Sequence, residues 1–87
     1  MTPMRELDLH GLDRGAALQR IRAFLQQSQR DGVLNLRIVH GIGKGILRDL
    51  TRKLLDGHPA VYDYGQARPS DGGAGATVVR LRTKSLR

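Results

Sequence analysis

The order of hydrophobic patterns along the chain is the feature that most constrains its fold. Four segments have the short apolar or alternating pattern that is typical of a β-strand: Glu6–His10, Val33–Val39, Val61–Tyr64 and Ala76–Arg82. Helical spacing of apolar residues fills the first two gaps, from the N-cap Asp13 to the stop signal at Asp31, and then from Leu47 to Leu54. The sequence therefore predicts the order strand, helix, strand, helix, strand, strand.

This order predicts an α/β (α+β) two-layer sandwich. Because strand-helix-strand crossovers are right-handed in nearly all proteins, both helices can lie on one face of a four-stranded mixed sheet and leave the other face open. The residues expected to pack against the helices are Leu7, Leu9, Leu34, Leu36, Ile38, Val79 and Leu81. Strand alternation then turns Asp8, Arg37, Arg80 and Arg82 outward. We expect an open face that is basic and carries one carboxylate.

Length and composition limit the possible classes of protein. The 87 residues fit one domain, 1–87, with a core of about 6–82 and short flexible ends. The absence of cysteine excludes disulfides and thiolate zinc sites. The longest apolar run is a few residues, far below the roughly 20 needed to span a bilayer, and no signal-peptide core follows Met1. We therefore expect an intracellular protein.

The charge balance indicates a polyanionic partner. The chain has 15 Lys plus Arg against 8 acidic residues, a net charge of +7, which is typical of nucleic-acid-binding modules. Basic membrane-surface helices usually combine Lys with Trp or Phe, whereas 12 of these cations are Arg and the chain has no Trp and one Phe. We expect no membrane partner. Since Tyr62 and Tyr64 are the remaining candidates for base stacking, contact with the phosphate backbone should dominate.

The first candidate site is the pair Asp8 and His10. Two residues apart on a strand, they would project on the same side, within reach of one phosphate. An imidazole can transfer protons near neutral pH, and a neighbouring carboxylate can fix its tautomer or hold a hydrated cation. The alternative is that both are polar residues at an exposed strand end, with Gly11 serving the turn.

The second candidate site is the strand-to-helix turn His40–Gly45. Its alternate glycines Gly41, Gly43 and Gly45 let the backbone approach an anion while N–H groups of the next helix point at it. Ser or Thr does not follow the Gly-Lys pair and the third glycine comes one place early for GxGxxG, so a bound nucleotide is disfavoured.

A basic stripe leads away from this turn along the second helix. Lys44, Arg48 and Arg52 follow one another at four-residue intervals, on a face distinct from that of the helix leucines. The alternative interpretation is a tight turn followed by a solvated helix face. The combination of three glycines, a histidine and this stripe favours phosphate binding.

Three motifs together, LDLHG, HGIGKG and DGGAGATVVRL, resemble those of the Smr (small MutS-related) domain family over Leu7–Leu81. The closing pattern is similar to that of the C-terminal Smr domain of the second bacterial MutS paralogue. The resemblance implies that Asp8 and His10 take part in nicking. It also implies that a nucleic-acid-binding loop is formed by His40, Gly41, Gly43 and Gly45.

The resemblance further implies a fold similar to the C-terminal domain of bacterial translation initiation factor three. It implies DNA nicking, with RNA cleavage or ribosome association elsewhere in the family. A parent protein concerned with repair or recombination control would add ATPase and dimer-forming parts. We expect a bacterial, cytoplasmic and nucleoid-associated location.

Three hypotheses follow. In the first, Asp8 and His10 nick DNA, including branched DNA, with little sequence preference, while the glycine loop, Lys44 and the open-face arginines hold phosphates. In the second, the domain binds RNA, branched DNA or the ribosome without catalysis. In the third, His10 and His40 act as acid and base in metal-free RNA cleavage, provided that the first two strands are neighbours.

The number of carboxylates bears on the first hypothesis. Most metal-assisted nucleases gather several acidic ligands, whereas Asp8 alone is placed at this site by the sequence. This weakens the case for an enzyme. No cofactor is firmly predicted, and Mg²⁺ or Mn²⁺ at Asp8 stays open.

Overall fold

The structure, a computed structural model, describes residues 4–83. Its elements are β1 Met4–Asp8, α1 Arg14–Arg30, β2 Asn35–Val39, α2 Ile46–Asp56, β3 Val61–Gln66 and β4 Ala76–Leu81. Two short 3-10 turns, Pro69–Asp71 and Gly73–Gly75, connect β3 to β4. The predicted order of strands and helices is confirmed.

The four strands form one mixed sheet with the spatial order β1-β2-β4-β3. β1 runs parallel to β2, whereas β4 is antiparallel to both of its neighbours. The last strand of the chain therefore lies inside the sheet. This arrangement brings the carboxyl ends of β1 and β2 to the same end of the sheet as the start of β4.

Both helices pack on one face of the sheet, as predicted. The core contains Leu7, Leu9, Leu36, Ile38, Val79 and Leu81 from the strand side and Ala17, Ile21, Leu25 and Leu55 from the helices. Of the predicted core residues, Leu34 is half-buried because it precedes β2. Among residues 4–83, no helix is long and apolar enough to cross a membrane.

The two helices begin differently. The side chain of Asp13 caps α1, because its Oδ1 accepts a hydrogen bond from the Ala16 N–H at 2.8 Å. α2 follows Gly45, which has a left-handed φ of +81° and supplies no side-chain cap. The first N–H groups of α2 can therefore bind an external acceptor.

The first strand is displaced from its predicted position. β1 spans Met4–Asp8 rather than Glu6–His10. The Leu9 N–H still donates to the Val39 carbonyl at 2.8 Å, but the His10 N–H turns back and donates to Asp8 Oδ1 at 2.9 Å. The prediction that Asp8 and His10 project from one side of a strand is wrong, since His10 lies in the turn that leads to α1.

The open face carries more acidic residues than predicted. Glu6 lies directly opposite Arg37, and Asp63 lies opposite Arg80. The Arg37 Nη2 to Glu6 Oε1 distance is 2.6 Å, and Arg80 binds both oxygens of Asp63 at 2.9 and 2.7 Å. The expectation of a basic face with one carboxylate is wrong, because cross-strand register sets opposite charges side by side.

Candidate nucleic-acid interface

Two of the sequence motifs meet at one end of the sheet. Asp8 ends β1 and is in register with Val39, which ends the parallel strand β2. The glycine loop, His40–Gly45, follows Val39 directly. Ligands of open α/β sheets bind outside the carboxyl ends of the parallel strands. The structure thus brings Asp8 and His10 next to the glycine loop.

Asp8 and His10 form an exposed turn. The backbone N–H of His10 donates to Asp8 Oδ1 at 2.9 Å, so that one carboxylate oxygen holds the turn in place. Within residues 4–83, the other oxygen, Oδ2, has no hydrogen-bond partner. Both side chains are exposed. A water molecule or a phosphate of a bound nucleic acid can therefore reach both of them.

The glycine loop has a backbone that favours glycine at three positions. Gly41, Gly43 and Gly45 have φ values of +82°, +152° and +81°, in the region that residues with a side chain rarely adopt. The loop and the start of α2 surround a cavity of about 290 Å³ lined by residues 40–48. The Arg48 guanidinium folds back over Gly45, into the space that a Cβ atom would fill. A cation therefore lies at the cavity.

Gly75 fastens this loop to the start of β4. Its carbonyl accepts hydrogen bonds from the His40 N–H at 3.0 Å and from the Gly41 N–H at 2.9 Å. A Cβ atom at Gly75 would lie 3.3 Å from Ile42 Cγ1. This supporting role of Gly75 was not predicted, although the glycine cluster just before β4 was a signal for it.

His40 is buried beneath the loop, and only 6% of the residue is exposed. Its Nδ1 donates to the Gly41 carbonyl at 3.1 Å, which leaves Nε2 to accept from the Thr77 hydroxyl at 2.9 Å. β1 and β2 are neighbours, as the hypothesis of a His10–His40 acid/base pair requires. However, both ring nitrogens of His40 are engaged within the protein.

The protonation of His40 should link stability to pH. Burial lowers the pKa of His40 below its ordinary 6.5, with the Gly41 carbonyl opposing the change and Arg52 and Arg48 adding to it. The unfolded chain then binds the proton at higher pH than the folded one. The stabilisation that comes from burying neutral His40 is complete above about pH 6.5. It is lost as the pH falls through that value towards the pKa of His40 in the folded protein.

We therefore expect the melting temperature of the wild type to decrease as the pH is lowered from about 7.5 to about 5.5. A His40→Gln variant should melt lower at the upper pH but lose less on acidification. His10→Gln is the control for the loss of an exposed imidazole. Equal slopes in all three proteins would contradict the assignment of His40 as a buried neutral group.

The predicted basic residues divide into two groups. Lys44 and Arg48 adjoin the glycine loop, whereas Arg52 is half-buried further along α2. Arg37 lies in the middle of the sheet, and Arg80 lies opposite Asn35 at the far end. Arg82 follows β4 at that same far end. The structure therefore separates Arg80 and Arg82 from Asp8 and the loop.

The acidic residues at this site are few. Among residues 4–83, no group of three or more His, Asp or Glu side chains could hold a metal ion. Asp8 contributes a single carboxylate, one oxygen of which already accepts the His10 N–H. Mg²⁺ in proteins is often held by one or two carboxylates together with substrate phosphates. Mg²⁺ or Mn²⁺ at Asp8 would therefore need ligands from a bound phosphate.

Comparison with known proteins identifies the family and several relatives. The model of the Smr domain family matches residues 7–82. The Endonuclease MutS2 of Streptococcus thermophilus is 37% identical over 79 residues, which are 91% of this chain and 10% of that protein. The chain thus spans about a tenth of the length of this curated relative.

Solved structures agree with this comparison. The crystal structure of the Smr domain of Thermus thermophilus MutS2 matches with a TM-score of 0.87 and 38% identity, covering 90% of this chain and 98% of that one. The structure of YdaL, a stand-alone small MutS-related protein from Escherichia coli, has the same TM-score at 31% identity, covering 90% of this chain and 64% of that one. By sequence, by fold and by the motifs at the carboxyl ends of β1 and β2, the chain belongs to the Smr domain family.

Proposed function

We propose that this domain binds the backbone of nucleic acids at the glycine loop and nicks DNA with little sequence preference. The observation that carries the proposal is the position of the exposed Asp8–His10 turn beside the loop, at the carboxyl ends of β1 and β2. The family membership and the name of the relatives, Endonuclease MutS2, support it.

The glycine loop supplies the binding step. Backbone N–H groups at the start of α2 point outward from an uncapped helix end, whose dipole favours an anion. Lys44 is exposed in the loop, and the Arg48 guanidinium lies over Gly45. Because these groups contact phosphate rather than base edges, binding carries little sequence information.

Asp8 and His10 supply the chemical step. A water oxygen attacks the phosphorus atom of a phosphodiester held at the loop, and the Asp8 carboxylate takes the proton of that water. As the new P–O bond forms, the bond from phosphorus to one sugar oxygen breaks. His10 in its protonated form donates a proton to that oxygen. The products are a phosphate monoester and a free hydroxyl at one nick.

A second candidate function follows from the single carboxylate at the site. Since most metal-assisted nucleases use several acidic ligands, this site also suits a module that binds RNA, branched DNA or the ribosome without cleaving it. The phosphate-binding groups are the same in both cases. Activity therefore separates the two candidates, whereas binding does not.

Incubation of the purified domain with supercoiled plasmid and with labelled RNA tests the proposal directly. Each substrate is combined with Mg²⁺, with Mn²⁺ or with a chelator, and Asp8→Asn is run in parallel. We expect nicked circles from the wild type and none from the variant. If the plasmid is bound but stays supercoiled under every condition, the non-catalytic candidate is correct. Cleavage of RNA alone would make RNA the substrate.

Salt dependence of DNA binding tests the proposed contacts. Arg37 and Arg80 are paired with carboxylates of neighbouring strands, away from the loop. Near the loop the principal cations are Lys44, Arg48 and Arg52, although Arg48 Nε also lies 3.3 Å from Asp49 Oδ1. Each neutralised phosphate contributes about −0.9 to the slope of log K against log salt, so three contacts should give a slope of about −2.7. This corresponds to a loss of about 40-fold in affinity between about 50 and about 200 mM salt.

A pair of matched variants locates these contacts. Lys44→Gln should make the slope shallower by about one, because one phosphate contact is lost. Lys53→Gln removes the same charge from the exposed surface of α2 near its other end and should leave the slope unchanged. Equal slopes for Lys44→Gln and the wild type would show that Lys44 does not contact phosphate.

A further inference from the structure

Tyr62 occupies a β-bulge at the far end of the sheet from the glycine loop. In the pairing of β3 with β4, Val61 lies opposite Leu81 and Asp63 lies opposite Arg80, so Tyr62 is the extra residue. A bulge redirects the side chain of the extra residue out of the regular alternation. Tyr62 is accordingly 59% exposed although it lies within a strand.

Two arginines flank the exposed ring. The Cζ atoms of Arg80 and Arg82 lie 5.1 and 5.8 Å from the centroid of Tyr62, within the range of cation–π contact. Arg80 is held in place by its two hydrogen bonds to Asp63. We call these three residues, Tyr62, Arg80 and Arg82, the Tyr62 patch. Together with Asp63 it has a net charge of +1.

The Tyr62 patch borders an open cavity of about 600 Å³. The other residues that line this cavity are Leu34, Asn35, Leu81 and Thr83. They add an apolar wall, an amide and a hydroxyl to the ring and the guanidinium groups. A nucleobase is flat and carries polar edges, and it stacks on tyrosine rings or guanidinium planes while the flanking phosphates contact cations.

The Tyr62 patch and the glycine loop lie at opposite ends of the sheet, within reach of one polynucleotide strand. Arg80 is four residues along β4 from Ala76, which pairs with Val39 beside the loop. At about 3.3 Å per residue, this separation is about 13 Å along the sheet. One polynucleotide strand can therefore cross the open face with a phosphate at the loop and a base at the patch. Bases that are stacked inside a duplex cannot occupy the patch.

We propose that the Tyr62 patch binds an unpaired nucleobase of single-stranded nucleic acid. This inference rests on the proposed function, because it assumes that the same strand contacts the glycine loop. It assigns a substrate class to the domain, namely strands with an unpaired segment beside the phosphodiester held at the loop. Aromatic residues are scarce in this chain, which predicted little base stacking, but the bulge and the two arginines make Tyr62 a binding surface.

Fluorescence anisotropy with a short labelled oligothymidylate and with a duplex of the same length tests the inference. Tyr62→Ala should weaken single-strand binding about tenfold and leave duplex binding unchanged. Tyr62→Phe keeps the ring and should retain the affinity of the wild type. Arg82→Gln should weaken single-strand binding, whereas Arg22→Gln, which removes an exposed charge from α1, should weaken it less.

Nuclear magnetic resonance provides a second readout that does not depend on affinity. The chain has two tyrosines and one phenylalanine, so the aromatic ring signals are few. A stacked base should shift the ring protons of Tyr62, while those of Tyr64, whose hydroxyl binds Asp56, should stay in place.

The outcomes separate this inference from the proposed function. If Tyr62→Ala binds the oligothymidylate as tightly as the wild type and the Tyr62 ring signals do not shift, the inference is wrong. Duplex binding that persists in that case leaves the proposed function intact. If the wild type binds neither the single strand nor the duplex, both are wrong.

Discussion

Asp8→Asn should reduce the rate of plasmid nicking by about a thousandfold or more, while DNA affinity is retained. Asparagine keeps an oxygen that can accept the His10 N–H, the hydrogen bond of 2.9 Å that holds the turn. It lacks the negative charge and cannot take a proton from water. The substitution therefore removes the chemistry without removing the local structure, and the loss of a negative charge favours polyanion binding.

Asp13→Asn is the matched control for this variant. Asp13 also accepts a backbone N–H through Oδ1, at 2.8 Å from Ala16 N, but it serves as the cap of α1. Initial rates of nicked-circle formation are measured for both variants, with melting temperatures and DNA affinities alongside. Nicking by a folded Asp8→Asn protein at the wild-type rate would show that Asp8 takes no proton.

His10→Gln should lower the nicking rate by about a hundredfold to ten-thousandfold. The His10 side chain is exposed and its backbone N–H remains available to Asp8, so the fold and the turn are retained. The glutamine cannot donate the proton that, in the proposed mechanism, His10 gives to the leaving oxygen. A substrate whose scissile bridging oxygen is replaced by sulfur needs no such proton, because a thiolate leaves readily.

The sulfur-containing substrate distinguishes the two roles. It should restore much of the rate of His10→Gln but not that of Asp8→Asn, which lacks the base. His58→Gln is the control for loss of an imidazole, since His58 follows the C-terminal end of α2 and binds the Ala60 N–H. Equal losses of His10→Gln on both substrates would contradict a general-acid role for His10.

The element order was predictable because it depends on local patterns. The strand and helix periodicities, the cap Asp13 and the glycines at the chain reversals each act within a few residues. The meeting of the LDLHG and HGIGKG motifs was predictable too, because consecutive parallel strands joined by one helix bring their carboxyl ends together. In both cases the result depends on single elements or on elements that follow one another along the chain.

Pairings between distant residues were not predictable in the same way. The ion pairs of Arg37 with Glu6 and of Arg80 with Asp63 depend on which residues of separate strands come into register. The bulge at Tyr62 breaks the alternation that a sequence pattern assumes. The burial of His40 had a signal, since strand alternation places His40 on the same face as the buried Leu36 and Ile38, whereas the glycines that follow it predicted an exposed loop.

The place of β4 in the sheet determines when, during synthesis, the glycine loop gains the hydrogen bonds that hold it. The carbonyl of Gly75 is what fixes the backbone of His40 and Gly41, although it lies more than thirty residues further along the chain. A nascent polypeptide that has emerged only as far as β3 has the whole HGIGKG segment but lacks the Gly75 carbonyl. The inner strand β4, which lies between β2 and β3, is also missing from the sheet. A chain that stops before β4 therefore lacks the two hydrogen bonds that hold the backbone of His40 and Gly41 in place.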